Sequence, residues 1–218
     1  MKKNIWDIEP VAQEHKKLVW ITGASSGLGR AIALELAKRN YIVAATARRK
    51  EKLLELSNLN KNIVSYPSDI IDRNSIIDLV KKIEQENGPI DIAILNAGAR
   101  YETYTNNIFD NNFRKTLEVN IGGTINCLEA ISSKMMKRKT GHIAVVSSIG
   151  GYIGIPFFGI AYITSKAAQR IMIESAVIPL SKFGVKLQII CPGFIGTDII
   201  NEKLLKNISK MKPEKAAK

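Results

Sequence analysis

Cysteine and histidine are scarce in this chain of 218 residues: Cys127 and Cys191, His15 and His142 are all it has. The four share no metal-ligand spacing, and a disulfide framework needs more cysteines in a smaller chain. Buried, reduced thiols are therefore the expectation, and with them a reducing compartment; the protein is read as cytoplasmic. Long apolar runs are missing as well, so no membrane partner is expected. The start, Met1-Lys2-Lys3-Asn4-Ile5-Trp6-Asp7, carries the positive charge of a secretion signal without its apolar stretch, which Asp7, Glu9, Pro10 and Glu14 interrupt. Internal repeats, low-complexity tracts and interdomain linkers are not found. Positive charge is what the chain has in excess, formally +12. A basic surface can neutralise phosphates. Here the lysines crowd the tail (Lys203, Lys206, Lys210, Lys212, Lys215, Lys218) and the turn Lys134 to Lys139, with no interleaved aromatics, so no nucleic-acid partner is expected.

Residues 1–17 read as a polar leader, with Trp6 its main apolar anchor, and 18–218 as one domain. Apolar runs predict six strands, Leu18 to Ile21, Tyr41 to Ala45, Ile63 to Tyr66, Ile90 to Leu95, Ile143 to Val146 and Val185 to Ile190. Helical patterns fall between them. The longest are Asn112 to Met136, interrupted by Gly122-Gly123, and Ile160 to Ser181, with Pro179 in its last turn. Strands rich in Ile and Val that alternate with helices imply parallel crossovers and a sheet covered on both faces. The fold class is α/β, a doubly wound parallel sheet in three layers.

Ligands of such sheets bind beyond the carboxyl ends of the strands, and the unusual residues stand there. Gly23, Gly27 and Gly29 follow the first strand, where missing side chains let the backbone turn tightly and approach a pyrophosphate. A plain tight connection is the competing reading. After the second strand comes Ala47-Arg48-Arg49, with no carboxylate to hold a ribose 2'-hydroxyl. Arginine there suits a 2'-phosphate, so NADP(H) is preferred and NAD(H) possible, with Ser25 and Ser26 as added hydroxyl donors. Asp69 could accept from an adenine amino group. Tyr162 and Lys166 lie four apart on a predicted helix face, so a phenol and an ammonium share one pocket. A nearby cation favours the phenolate, which is expected to bring the phenol's pKa toward neutrality.

The series Thr22-Gly23-x-x-x-Gly27-x-Gly29, Asn96-Ala97-Gly98, Asn120, Ser148, Tyr162-x-x-x-Lys166 and Pro192-Gly193 with Thr197 resembles the short-chain dehydrogenase/reductase family, in order from about residue 18 to 199. The resemblance implies a Rossmann-type domain that passes hydride between a nicotinamide and a carbonyl or secondary alcohol, and a homodimer or homotetramer. It makes Tyr162 the acid/base and Lys166 the residue that lowers its pKa and bonds the nicotinamide ribose. Ser148 would hold the substrate oxygen, and Asn120 would position a water in a proton relay. Leu28, Ile70, Asn96, Ala97, Gly98, Pro192, Gly193, Ile195 and Thr197 would contact the cofactor. Ser147 competes with Ser148, but Ile149-Gly150-Gly151 after Ser148 fits the family pattern better.

Two departures stand out. The segment from Ser148 to Tyr162 is one residue longer than the family's usual spacing, so the loop with Phe157, Phe158 and Gly159 is expected to bulge. The family's seventh strand is missing; Met211 to Lys218 reads as the start of the helix before it, so either the chain is truncated or the sixth strand lies at an open edge. Arg100 to Phe109, Ile149 to Phe158 and Phe194 to Leu205 are expected to border the substrate. A catalytically silent NADP-binding sensor or interaction protein is the alternative, though such a module has no need of the whole set Asn120, Ser148, Tyr162 and Lys166.

Overall fold

The computed structural model describes residues 16–102, 107–154, 159–196 and 210–218. Its centre is β1 (Leu18–Thr22), a strand buried at every residue. Leu18 and Trp20 enter one layer of core, Val19 and Ile21 the other, as alternation of side chains about a covered strand demands. The Trp20 indole finds its acceptor inside the sheet, donating to Thr46 Oγ1 at 3.0 Å.

The chain continues as α1 (Gly27–Lys38), β2 (Ile42–Ala47), α2 (Lys50–Asn58), β3 (Ile63–Pro67), α3 (Arg73–Asn87) and β4 (Ile90–Leu95). It then runs through α4 (Asn111–Leu117), a π turn (Glu118–Gly122), α5 (Gly123–Arg138), β5 (Gly141–Val146), α6 (Ile160–Ser181), β6 (Val185–Ile190) and the short α7 (Pro213–Ala216). All strands are parallel, in the order β3-β2-β1-β4-β5-β6. This is the doubly wound order, whose direction of winding reverses between β1 and β4. Helices α1 and α2 pack on one face through Ala33, Ala37, Leu53 and Leu56, and α3, α5 and α6 on the other through Ile76, Val80, Ile131 and Ile173. The Rossmann-type reading of the strand pattern is met.

Some details differ from the sequence expectations. The second strand is Ile42–Ala47, ending two residues later than the apolar run suggested, because Thr46 and Ala47 still pair with β3. The expected interruption at Gly122-Gly123 is a π turn that joins α4 to α5 without a break in the helical path. Among the described residues the sheet has six strands, and β6 pairs only with β5. Val185 and Leu187 are buried there while Lys186 and Gln188 are exposed. Beyond it, Ile195 and Met211 form an isolated parallel bridge, and α7 packs on α1.

One polar cluster ties α3, α5 and the entry to β4 together. Glu84 accepts from Arg138 Nη1 at 2.7 Å, Lys134 Nζ at 3.0 Å and the Ile90 amide at 3.1 Å, while Arg138 also donates to the Ile90 carbonyl. Partial burial pushes the Glu84 carboxyl up, but the hydrogen bonds from Arg138, Lys134 and Ile90 together outweigh it and leave the pKa below the ordinary value. A depressed carboxylate pKa means stabilisation that is complete above the unfolded value and lost as pH falls through the folded one. Arg138→Ala should therefore lower the unfolding free energy by about 1–3 kcal/mol near neutrality, with the deficit shrinking on acidification; denaturant midpoints across pH test both statements.

Candidate active site

The carboxyl ends of β1, β2, β4, β5 and β6 open onto one cleft of about 400 Å³. Between β1 and α1 the chain turns through Gly23 and Gly27, at φ of +70° and +53°, a region that side chains rarely adopt. Gly29 serves differently. A Cβ there would strike the Gly23 carbonyl and come within 2.5 Å of Asn96 Nδ2, so the residue packs the turn and does not line the cleft. Asn96 holds the end of β4 against β1: its Nδ2 donates to the Thr22 carbonyl at 3.2 Å, and the Asn96 and Ala97 amides both reach Thr22 Oγ1 at 3.1 Å. The first turn of α1 carries no acidic residue, which leaves its amide end suited to an anion.

At the end of β2, Arg49 binds the glycine turn. Its Nη2 donates to Ser25 Oγ at 2.9 Å and Ser26 Oγ at 2.6 Å, and its Nε to Ser25 Oγ at 3.2 Å. Ser26 is the N-cap of α1, yet its hydroxyl makes no capping bond within the helix. Arg48 approaches Asp69 only at 3.9 Å, and both are too exposed for that pair to count for much.

The other end of the cleft is built by β5 and α6. Ser147 and Ser148 follow β5 and meet different partners. Ser147 is buried and donates to the Lys166 carbonyl at 2.9 Å, whereas Ser148 caps a short turn, Ile149–Gly151, by accepting from the Gly150 amide at 3.2 Å. The Ser148 hydroxyl also acts on the Tyr162 phenol, favouring its ionised form. Tyr162 and Lys166 come from the first turns of α6 and are 8% and 3% exposed. The ammonium lies 5.7 Å from the phenol ring centre and donates to the Val146 carbonyl at 3.0 Å and Gln169 Oε1 at 2.9 Å.

Burial dominates the proton equilibria here. It pulls the Lys166 ammonium down to about 8. It holds the Tyr162 phenol above its ordinary value, against the opposing hydrogen bond of Ser148 and the charge of Arg100. The expected lowering of the phenol by Lys166 is thus not met: desolvation of the phenolate outweighs the favourable contacts.

Among the predicted site residues, Gly23, Ser25 to Leu28, Arg48, Arg49, Asp69, Ile70, Asn96 to Gly98, Ser148, Tyr162, Lys166, Pro192, Gly193 and Ile195 line the cleft together. Asn120 does not. It is fully buried behind the wall, its Oδ1 accepting from the Ala99 amide at 2.7 Å and its Nδ2 donating to the Ala99 carbonyl at 2.9 Å and Ser165 Oγ at 2.8 Å. Thr197, Phe157, Phe158 and most of the leader lie outside the described residues. Arg100, the first residue of a stretch expected to border the substrate, stands on the cleft wall and acts on Tyr162; Gln169, which the sequence did not single out, is bonded to Lys166. Gln169 follows Lys166 by three and so shares its helix face, a signal that was there to read.

A parallel sheet of this order, opening on a glycine turn at one end and on a Ser-Tyr-Lys corner at the other, defines the class: an α/β nucleotide-binding domain of Rossmann type. The chain belongs to the short-chain dehydrogenase family, whose model matches residues 17–207. It is 33% identical over 202 residues to the human dehydrogenase/reductase SDR family member 7, covering 88% of this chain and 59% of that protein. Against 2,3-dihydro-2,3-dihydroxybenzoate dehydrogenase of Bacillus subtilis it is 32% identical over 188 residues, covering 84% of this chain and 71% of the other. A short-chain dehydrogenase from Streptomyces avermitilis superposes with a TM-score of 0.83 at 26% identity, over 94% of this chain and 82% of that one. The family is one of dehydrogenases, and the chain spans 59% of the length of the human relative.

Proposed function

We propose that the protein is an NADPH-preferring oxidoreductase of carbonyls and secondary alcohols, with Tyr162 as acid/base. The observation that carries this reading is the convergence of Ser148, Tyr162 and Lys166 at one end of a cleft whose other end is the glycine turn. The residues fit the dinucleotide: a turn free of side chains at Gly23, the open amide end of α1, and a guanidinium with two hydroxyls at Arg49, Ser25 and Ser26. The nicotinamide supplies the hydride when bound; the protein supplies position and the proton. Negative charge developing on a carbonyl oxygen calls for two donors, and the Tyr162 and Ser148 hydroxyls supply them, Tyr162 giving up its proton. Lys166 donates to two protein acceptors and has a third N–H for a ribose hydroxyl.

Preference for the phosphorylated cofactor rests on Arg49. Its fork suits the 2'-phosphate, and no carboxylate follows β2 to take a ribose 2'-hydroxyl in its place. Arg49→Ala should weaken NADPH by roughly tenfold or more while changing NADH little. Fluorescence titrations of both cofactors decide it; wild-type protein that binds NADH more tightly overturns the preference. Exposed Ile171 and Ile178 on α6 support the homodimer or homotetramer that the family resemblance implies.

A further inference from the structure

Gln169 is 1% exposed, and each polar atom of its side chain is matched. The neighbours fix which way the carboxamide points. An ammonium only donates, so Lys166 Nζ faces Oε1, at 2.9 Å; a carbonyl only accepts, so the Asn120 main-chain oxygen faces Nε2, at 2.6 Å. Nε2 also donates to Thr124 Oγ1 at 2.8 Å, whose own hydrogen goes to the same Asn120 oxygen at 2.7 Å. That oxygen, on the π turn, therefore receives two side-chain donors from outside the main-chain ladder. Asn120 and Gln169 are 49 residues apart, so the bond links two helices that local structure does not bring together.

We infer that Gln169 is a positioning residue for Lys166, tying the ammonium to the main chain of the π turn. A carboxamide donates at one end and accepts at the other but does not hand a proton on. Gln169 thus fixes where the ammonium sits and which charge state it holds, and does not conduct protons between Lys166 and Asn120. The Asn120 side chain is engaged by Ala99 and Ser165, so its link to Lys166 runs through its main-chain oxygen and Gln169. The bearing on turnover rests on the function proposed above; the contact itself does not. The titratable groups around Lys166 are Tyr162 on its own helix and the Cys191 thiol after β6, while Arg100, after β4, acts on Tyr162.

The test is an NMR titration of the full chain carrying isotope-labelled lysine, with Lys166→Met identifying the Lys166 resonance. Gln169→Met keeps the side-chain length and removes both polar ends; it should lower the Lys166 midpoint by about one unit. Gln169→Glu sets a carboxylate against the ammonium and should raise it by about as much. Circular dichroism establishes that each variant is folded. A midpoint that stays put in either folded variant overturns the inference, since a glutamine that merely fills space has no reason to move it. In carbonyl reduction, Gln169→Met should lower kcat roughly tenfold with KM little changed, and a shifted midpoint with unchanged kcat also overturns the positioning role. A wild-type protein without any carbonyl turnover would defeat the proposed function alone, because the NMR titration still decides the contact.

Discussion

Tyr162→Phe should lower turnover by about a thousandfold and leave NADPH binding almost unchanged. The substitution removes one oxygen and keeps the ring, which is buried at the start of α6 and lies 5.7 Å from the Lys166 ammonium. The dinucleotide's phosphates would be held some distance away, at Gly23 and Arg49, so little of the cofactor's binding depends on that hydroxyl. Loss of the proton donor falls on the chemical step instead. NADPH oxidation across a panel of ketones and aldehydes measures turnover, and fluorescence titration measures binding. Equal losses in both would reject Tyr162 as acid/base, as would near-normal turnover. In the wild type, the rate of carbonyl reduction should fall as pH rises through the Lys166 value of about 8, where the charge beside the phenol is lost.

Gly29→Ala should damage the protein in a different way, costing about 1–3 kcal/mol of stability and weakening NADPH roughly tenfold or more through a displaced turn. The new methyl has no soft neighbour to push aside. It meets the Gly23 carbonyl, part of a backbone already held at positive φ, and the Asn96 amide that bolts β4 to β1. Relief of the clash means opening the turn or breaking that bolt, and either moves the cleft floor. Gly122 is the control, since a Cβ there has nothing within 4 Å. Gly122→Ala should be neutral or slightly stabilising in chemical denaturation, and equal behaviour of the two variants would remove the case for Gly29 as a packing residue.

Much of this architecture was legible before any coordinates. Ile- and Val-rich runs broken by helical patterns have few solutions other than a parallel sheet, and the residues that punctuate strand ends had to converge, since all the strands point one way. The same logic brought Ser148 to Tyr162 and Arg49 to the serines of the turn. What escaped is what depends on burial and on partners distant in sequence. A phenol beside an ammonium suggests a lowered pKa only while solvent is ignored; in the closed pocket desolvation dominates. Gln169 reads as one more polar residue on a long helix until Asn120 and Thr124 are seen to reach it. Asn120 was found by motif, but its burial behind the cleft wall follows from the way the π turn carries it. Gly122-Gly123 signalled an irregular helix without revealing that the irregularity is a wide turn, not a break.

The bond between Arg49 and the two serines has a consequence for conformational entropy. A free arginine side chain carries about 2 kcal/mol of rotamer freedom, and a surface arginine that closes on a ligand gives up much of it at the moment of binding. Arg49 is held through Nε and Nη2 by the chain's own serines, so that much of this ordering is completed during folding. The serine hydroxyls that accept from it keep their own hydrogens to offer. An anion arriving at this corner meets donors whose directions are set beforehand, and its affinity is reduced little by the need to organise them.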